Sequence, residues 1–147
     1  MAAVRTADVT WSGDLPSGSG TIDYVGSGAF SRMPVTWASR TERSDGRTSP
    51  EELLAAAHAA CYAMAFSNGL AKAGHTAEQL SVRAAVTFDN VDGGWKVASS
   101  ALTVKGRVPG LSDEEFVKLA EAAKDGCPIS GAIKGNVALS VDASLEG

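Results

Sequence analysis

Apolar positions along the chain change period several times, and each change marks an element. Over residues 9–37 they come in short groups, Val9 and Trp11, then Ile22, Tyr24 and Val25, then Met33, Val35 and Trp37, separated by glycine and serine. That punctuation predicts a meander of strands joined by tight turns. Residues 40–47 interrupt it with Arg40, Glu42, Arg43, Asp45 and Arg47, a polar loop. Ser49-Pro50-Glu51-Glu52 then reads as a helix start: Ser49 is the N-cap, Pro50 takes the first helical position and Glu52 the third, a capping box. Over residues 53–66 only His58, Cys61 and Tyr62 are not plainly apolar. A helix with no polar face is expected to be buried on all sides. Polarity returns at Ser67, Asn68 and Gly69, and Gly74 supplies a stop. The helix should then run about 24 residues, roughly 36 Å at 1.5 Å per residue, long for one small domain.

Val82, Ala84, Val86 and Phe88 alternate with Arg83, Ala85, Thr87 and Asp89, and Asp92-Gly93-Gly94 turns the chain back into residues 95–108. This predicts a long hairpin. Ser112-Asp113-Glu114-Glu115 offers a second capping box ahead of an amphipathic stretch, Phe116, Val117, Leu119, Ala120 and Ala123, ending near Gly126. Cys127-Pro128 opens another short helical segment, and Val137, Leu139 and Val141 close the chain as a strand. Without internal repeats or linkers, residues 1–147 are expected to form a single α+β domain.

Composition narrows the function classes. Hydrophobic residues at 44% and charged residues at 20% belong to a chain that folds. A net charge of −4 without a basic stripe argues against nucleic acid as a partner. Residues 1–13 lack a signal pattern and no run approaches the roughly 20 apolar residues of a membrane span, so a cytoplasmic protein with no membrane partner is expected. The two cysteines are too few for a secreted disulfide framework, and neither has C-x-x-C or zinc-type spacing, so no metal and no cofactor is expected.

Cys61 lies mid-helix, where it is either a packing residue or a nucleophile. Cys127 stands before Pro128 at an N-cap, where helix-end amides lower a thiol's pKa, or it is an ordinary helix start. His58, three residues before Cys61, shares its helix face; it is a thiolate stabiliser, a hydrolase base or a satisfied core histidine. His75 after Gly74 reads as a helix-terminal residue, and Trp11, Trp37 and Trp95 as core or interface anchors. Glu51 is spare once Glu52 closes the capping box.

SPEELLAAAHAACYAMAF, residues 49–66, resembles the signature helix of the OsmC/Ohr family of thiol peroxidases, and GCPIS, residues 126–130, resembles its second cysteine motif. WSGDLPSGSGT, residues 11–21, extends the likeness toward the start, and with His58 it resembles the OsmC branch more than the Ohr branch. The resemblance implies an OsmC-like fold in which antiparallel sheets wrap long central buried helices of an intertwined homodimer. It implies reduction of organic hydroperoxides with Cys61 as the peroxidatic cysteine, Cys127 as the resolving cysteine, and Glu51 and Arg40 as catalytic residues, with Arg43 or Arg47 as alternatives to Arg40. Only a thiolate attacks, so a buried Cys61 needs a cation beside it. The implied partners are an organic hydroperoxide as substrate and a dithiol reductant, small or protein-borne, lipoyl groups included. The rival readings are a cysteine hydrolase using Cys61 and His58 and a non-enzymatic dimeric stress or binding protein. If Glu51 and Cys61 share one unbroken helix, ten residues place them roughly 15 Å apart along its axis, and a carboxylate serving Cys61 must come from a partner chain.

Overall fold

The fold was obtained as a computed structural model that describes residues 1–146. Its elements run β1 (Ala7–Ser12), β2 (Ser19–Val25), β3 (Ser31–Val35), α1 (Trp37–Thr41), α2 (Pro50–Lys72), β4 (Gln79–Val91), β5 (Gly94–Arg107), α3 (Asp113–Gly126), α4 (Pro128–Ile133) and β6 (Ala138–Leu145). The chain divides into two compact units, Met1–Leu53 and the remainder from Leu54 onward.

In the first unit β1, β2 and β3 form the expected antiparallel meander. Trp37 and Arg40 depart from the sequence expectation: Trp37 does not end a strand and Arg40 does not lie in a loop, because both belong to α1. Thr36 explains the change. Its hydroxyl accepts from the Ser39 amide while the Ser39 hydroxyl accepts from the Thr36 amide, a reciprocal cap that starts a helix inside an alternating apolar pattern. The Ser39 hydroxyl also donates to the Thr48 carbonyl at 2.9 Å, fixing the loop that leads to α2.

In the second unit β4 and β5 make the long hairpin, turned by Asp92 and Gly93, both with positive φ. The sheet is not wholly antiparallel, since β6 returns parallel to β5. The α3 and α4 crossover carries the chain back to the end of the sheet from which a parallel strand must start. Tyr62, Phe66 and Leu70 of α2, Leu102 and Val104 of β5, and Phe116, Ala120 and Ala123 of α3 form the core, with the Phe66 and Phe116 rings 5.0 Å apart. Gly106 lets Phe116 lie against β5: a Cβ there would stand 2.6 Å from the ring.

The helix α2 ends as foreseen. Gly74 takes φ +88, and the amides of Gly74 and His75 close on the carbonyls of Ala71 and Leu70, so His75 completes the helix terminus. The expectation of burial on every side fails for the single chain. His58, Tyr62, Phe66 and Leu70, four residues apart, are buried, whereas Ala56, Ala57, Ala60 and Met64 are exposed, Met64 to 72%. By length and composition alone α2 is apolar enough to cross a membrane, yet its inward stripe packs on β5 and α3. Trp11 and Trp95 are not core residues either, at 41% and 47% exposure. The Trp11 indole donates to the Gly13 carbonyl, and Trp95 stacks on Phe88.

Candidate active site

In the first unit two of the residues expected to carry chemistry, Glu51 and Arg40, meet. Glu51, in the first turn of α2, is 7% exposed, and Arg40 reaches it from the last turn of α1. Arg40 Nη2 lies 2.6 Å from Glu51 Oε1, and Nε donates to both carboxylate oxygens at 3.2 Å. Such a pairing fixes the guanidinium plane as well as its charge. Of the three arginines considered for this role, Arg40 is the one paired with Glu51; Arg43 lies on the surface with its side chain 86% exposed. The guanidinium sits 5.6 Å above the Trp37 ring, and both residues line a cavity of about 380 Å³ with Trp11, Leu15, Val35 and Pro50. The site therefore offers an oriented cation next to an apolar hollow.

The Ser49 hydroxyl caps α2 by accepting from the Glu52 amide, as the sequence implied. The reciprocal half of that capping box does not form. The Glu52 carboxylate instead accepts from the Thr48 hydroxyl at 2.8 Å.

The second unit brings Cys61 and Cys127 together although 66 residues separate them. Both are free thiols, Cys61 half-buried and Cys127 buried. Burial pushes the Cys61 thiol up; the Ile129 amide works against this, and the hydrogen bond to Cys127 together with its charge adds to the rise. Burial also acts to raise Cys127, but hydrogen bonding from the Ser130 amide, the Cys61 thiol, the Ser130 hydroxyl and the Ile129 amide outweighs it and lowers the pKa. As a thiol, Cys127 begins α4 without a side-chain capping bond; as a thiolate it gains these donors.

His58 is a satisfied core histidine. It is fully buried, with Nδ1 2.6 Å from Ser100 Oγ and Nε2 2.8 Å from Ser130 Oγ, and burial lowers its pKa. Both ring nitrogens are engaged by hydroxyls, so the hydrolase reading loses its base. Ser100 and Ser130 went unnoticed in the sequence. A signal existed for Ser100, the polar member of the buried series Ser100, Leu102 and Val104 on one face of β5.

The family model for OsmC-like protein matches residues 43–142, most of the chain. The chain belongs to the OsmC-like family. Among its OsmC-like relatives, "Peroxiredoxin OsmC" of Escherichia coli (strain K12) is 39% identical over 139 residues, covering 95% of this chain and 96% of that protein. "Organic hydroperoxide resistance protein OhrA" of Bacillus subtilis (strain 168) is 34% identical, covering 78% and 75%. The crystal structure of the organic hydroperoxide resistance protein OhrB of Bacillus subtilis superposes with a TM-score of 0.73 at 26% identity, over 95% of this chain and 98% of that one. The α+β architecture is thus that of the OsmC-like proteins.

Proposed function

We propose that this OsmC-like chain is a thiol peroxidase that reduces organic hydroperoxides to alcohols, working as one domain in a cytoplasmic homodimer. The observation that carries the reading is that the fold sets two free thiols, Cys61 of α2 and Cys127 at the start of α4, beside each other. The Cys61 thiolate attacks the hydroperoxide, the O–O bond breaks, the departing alkoxide takes a proton to become the alcohol, and Cys61 is left as a sulfenic acid. Cys127 then attacks the Cys61 sulfur, an S–S bond forms and water leaves. A dithiol reductant, small or protein-borne, restores both thiols by exchange.

Burial raises Cys61, so its thiolate needs a cation, and the Arg40–Glu51 pair is the candidate. Glu51 and Cys61 lie ten residues apart on the unbroken α2, a rise of roughly 15 Å, which supports delivery of the Arg40–Glu51 pair to the Cys61 of a partner chain. The exposed apolar face of α2, with Ala57, Ala60 and Met64, supports the dimer that such delivery requires. The apolar hollow beside Arg40 supports an organic substrate.

The test is a steady-state comparison of cumene and tert-butyl hydroperoxide with hydrogen peroxide, using dihydrolipoamide, thioredoxin or glutathione as reductant. Each buried methylene contributes about 0.8 kcal/mol, so kcat/KM should favour the organic peroxides by roughly 10- to 100-fold. Equal turnover of all three would contradict the assignment of the hollow, and none at all would contradict the peroxidase reading.

A further inference from the structure

The peroxidase chemistry as described uses Cys61 and Cys127 but gives no part to His58, although this histidine is fully buried and held at both nitrogens. Ser100 is also fully buried and Ser130 is 2% exposed. Ser100 on β5, His58 on α2 and Ser130 on α4 are joined by hydrogen bonds, and Cys127 lies three residues before Ser130 at the N-cap of the same helix, where the Ser130 hydroxyl acts to lower its pKa. A thiolate only accepts hydrogen bonds, so when Cys127 is ionised the Ser130 hydroxyl must donate to it. Ser130 Oγ is then free to accept only, so His58 Nε2 must carry the proton and donate. Nδ1 is left as an acceptor, and the Ser100 hydroxyl donates to it. One charge at Cys127 thus fixes every donor in the line and the tautomer of His58.

We propose that His58 is a positioning residue which, through Ser130, holds Cys127 as the resolving thiolate and sets the rate of disulfide closure on the Cys61 sulfenic acid. The step balances. The electron pair of the Cys127 thiolate becomes the S–S bond, the Cys61 S–O bond breaks, and the departing hydroxide takes a proton from solvent to leave as water. Titratable groups near the line come from several elements among the described residues. From α2 come Cys61 and Tyr62, whose hydroxyl donates to the Ala120 carbonyl at 2.9 Å. From α3 comes Glu121, paired with Lys124 at 3.1 Å. Lys124 and Asp125 of α3, with Lys134 after α4, share a cavity of about 200 Å³ with Ser130, and Val137 and Leu139 close it from the β6 side. A neutral histidine that acts through a hydroxyl suits this setting, because it orients a donor without adding a buried charge.

The inference rests on the peroxidase reading, and the experiment separates the two. Reduced protein receives one equivalent of cumene hydroperoxide between pH 6 and 9.5. Loss of peroxide reports Cys61 oxidation, and intact mass after quenching reports disulfide closure. In Ser130→Ala the ratio of closure rate to oxidation rate should fall at least about tenfold at pH 6 and recover to within about threefold at pH 9.5, as rising pH supplies the thiolate that the hydroxyl no longer favours. Ser130→Thr, which restores the hydroxyl, should recover the pH 6 ratio. His58→Gln, read the same way, carries the test if Ser130→Ala fails to fold. An unchanged ratio at pH 6, or an equal deficit at every pH, would overturn the inference, the second by showing that the hydroxyl merely packs. Failure of the unsubstituted protein to consume peroxide would instead overturn the peroxidase reading.

Discussion

His58 has an ordinary pKa of 6.5, and burial lowers it in the folded chain. Below pH 6.5 the unfolded chain therefore binds a proton that the folded chain refuses. Stability rises with pH wherever the unfolded state holds more protons, so this contribution is complete above pH 6.5 and is lost as pH falls toward the lower folded value. One proton limits the slope to about 1.4 kcal/mol per pH unit. Urea unfolding between pH 7.5 and 5, above the range in which exposed carboxylates titrate, should show this fall, and His58→Gln should flatten it. A pH-independent midpoint in the unsubstituted protein would mean that the folded state accepts the charge.

Glu51 and Glu52 are neighbours in the first turn of α2 with separate partners. Glu52 accepts from the buried Thr48 hydroxyl and Glu51 holds Arg40. Glu52→Ala should cost about 1 kcal/mol of folding stability and leave peroxidase turnover within a factor of two. Glu51→Ala removes the carboxylate that orients the guanidinium, and on the proposed role of Arg40 a misplacement of about 1 Å costs roughly 100-fold, so kcat/KM should fall by that order. Denaturant midpoints and steady-state rates on both variants check the pair; the reverse pattern would exchange their roles. The start of α2 was legible because Ser49, Pro50 and two glutamates are local signals, and Gly74 marked its end in the same way. Helix α1 was not, because Trp37 continues an alternating apolar pattern and the Thr36–Ser39 cap lacks the usual acidic residue. The parallel pairing of β6 was hidden for a different reason: a strand's own residues do not state which way its neighbour runs. The two cysteines and the Arg40–Glu51 pair were placed by resemblance to a family, whereas Ser100 and Ser130 required the fold, since the bonds to His58 span 42 and 72 residues.

At the scale of the molecule, the single chain leaves two features unexplained that a second copy would complete. The α2 face with Ala57, Ala60 and Met64 is apolar and exposed, and Cys61 is raised by burial. A symmetric dimer whose α2 helices pack face to face buries the first and lets the Arg40–Glu51 pair of each chain serve the Cys61 of the other. Mixing Glu51→Ala chains with Cys61→Ser chains under conditions of confirmed subunit exchange tests this directly. Each heterodimer then carries one complete site and one site lacking both groups. Random exchange makes half the dimers heterodimers, so cumene hydroperoxide reduction should return to roughly a quarter of the unsubstituted rate, from two parents that are nearly inactive. A mixture no more active than its parents would contradict the account, because Glu51 would then serve the Cys61 of its own chain.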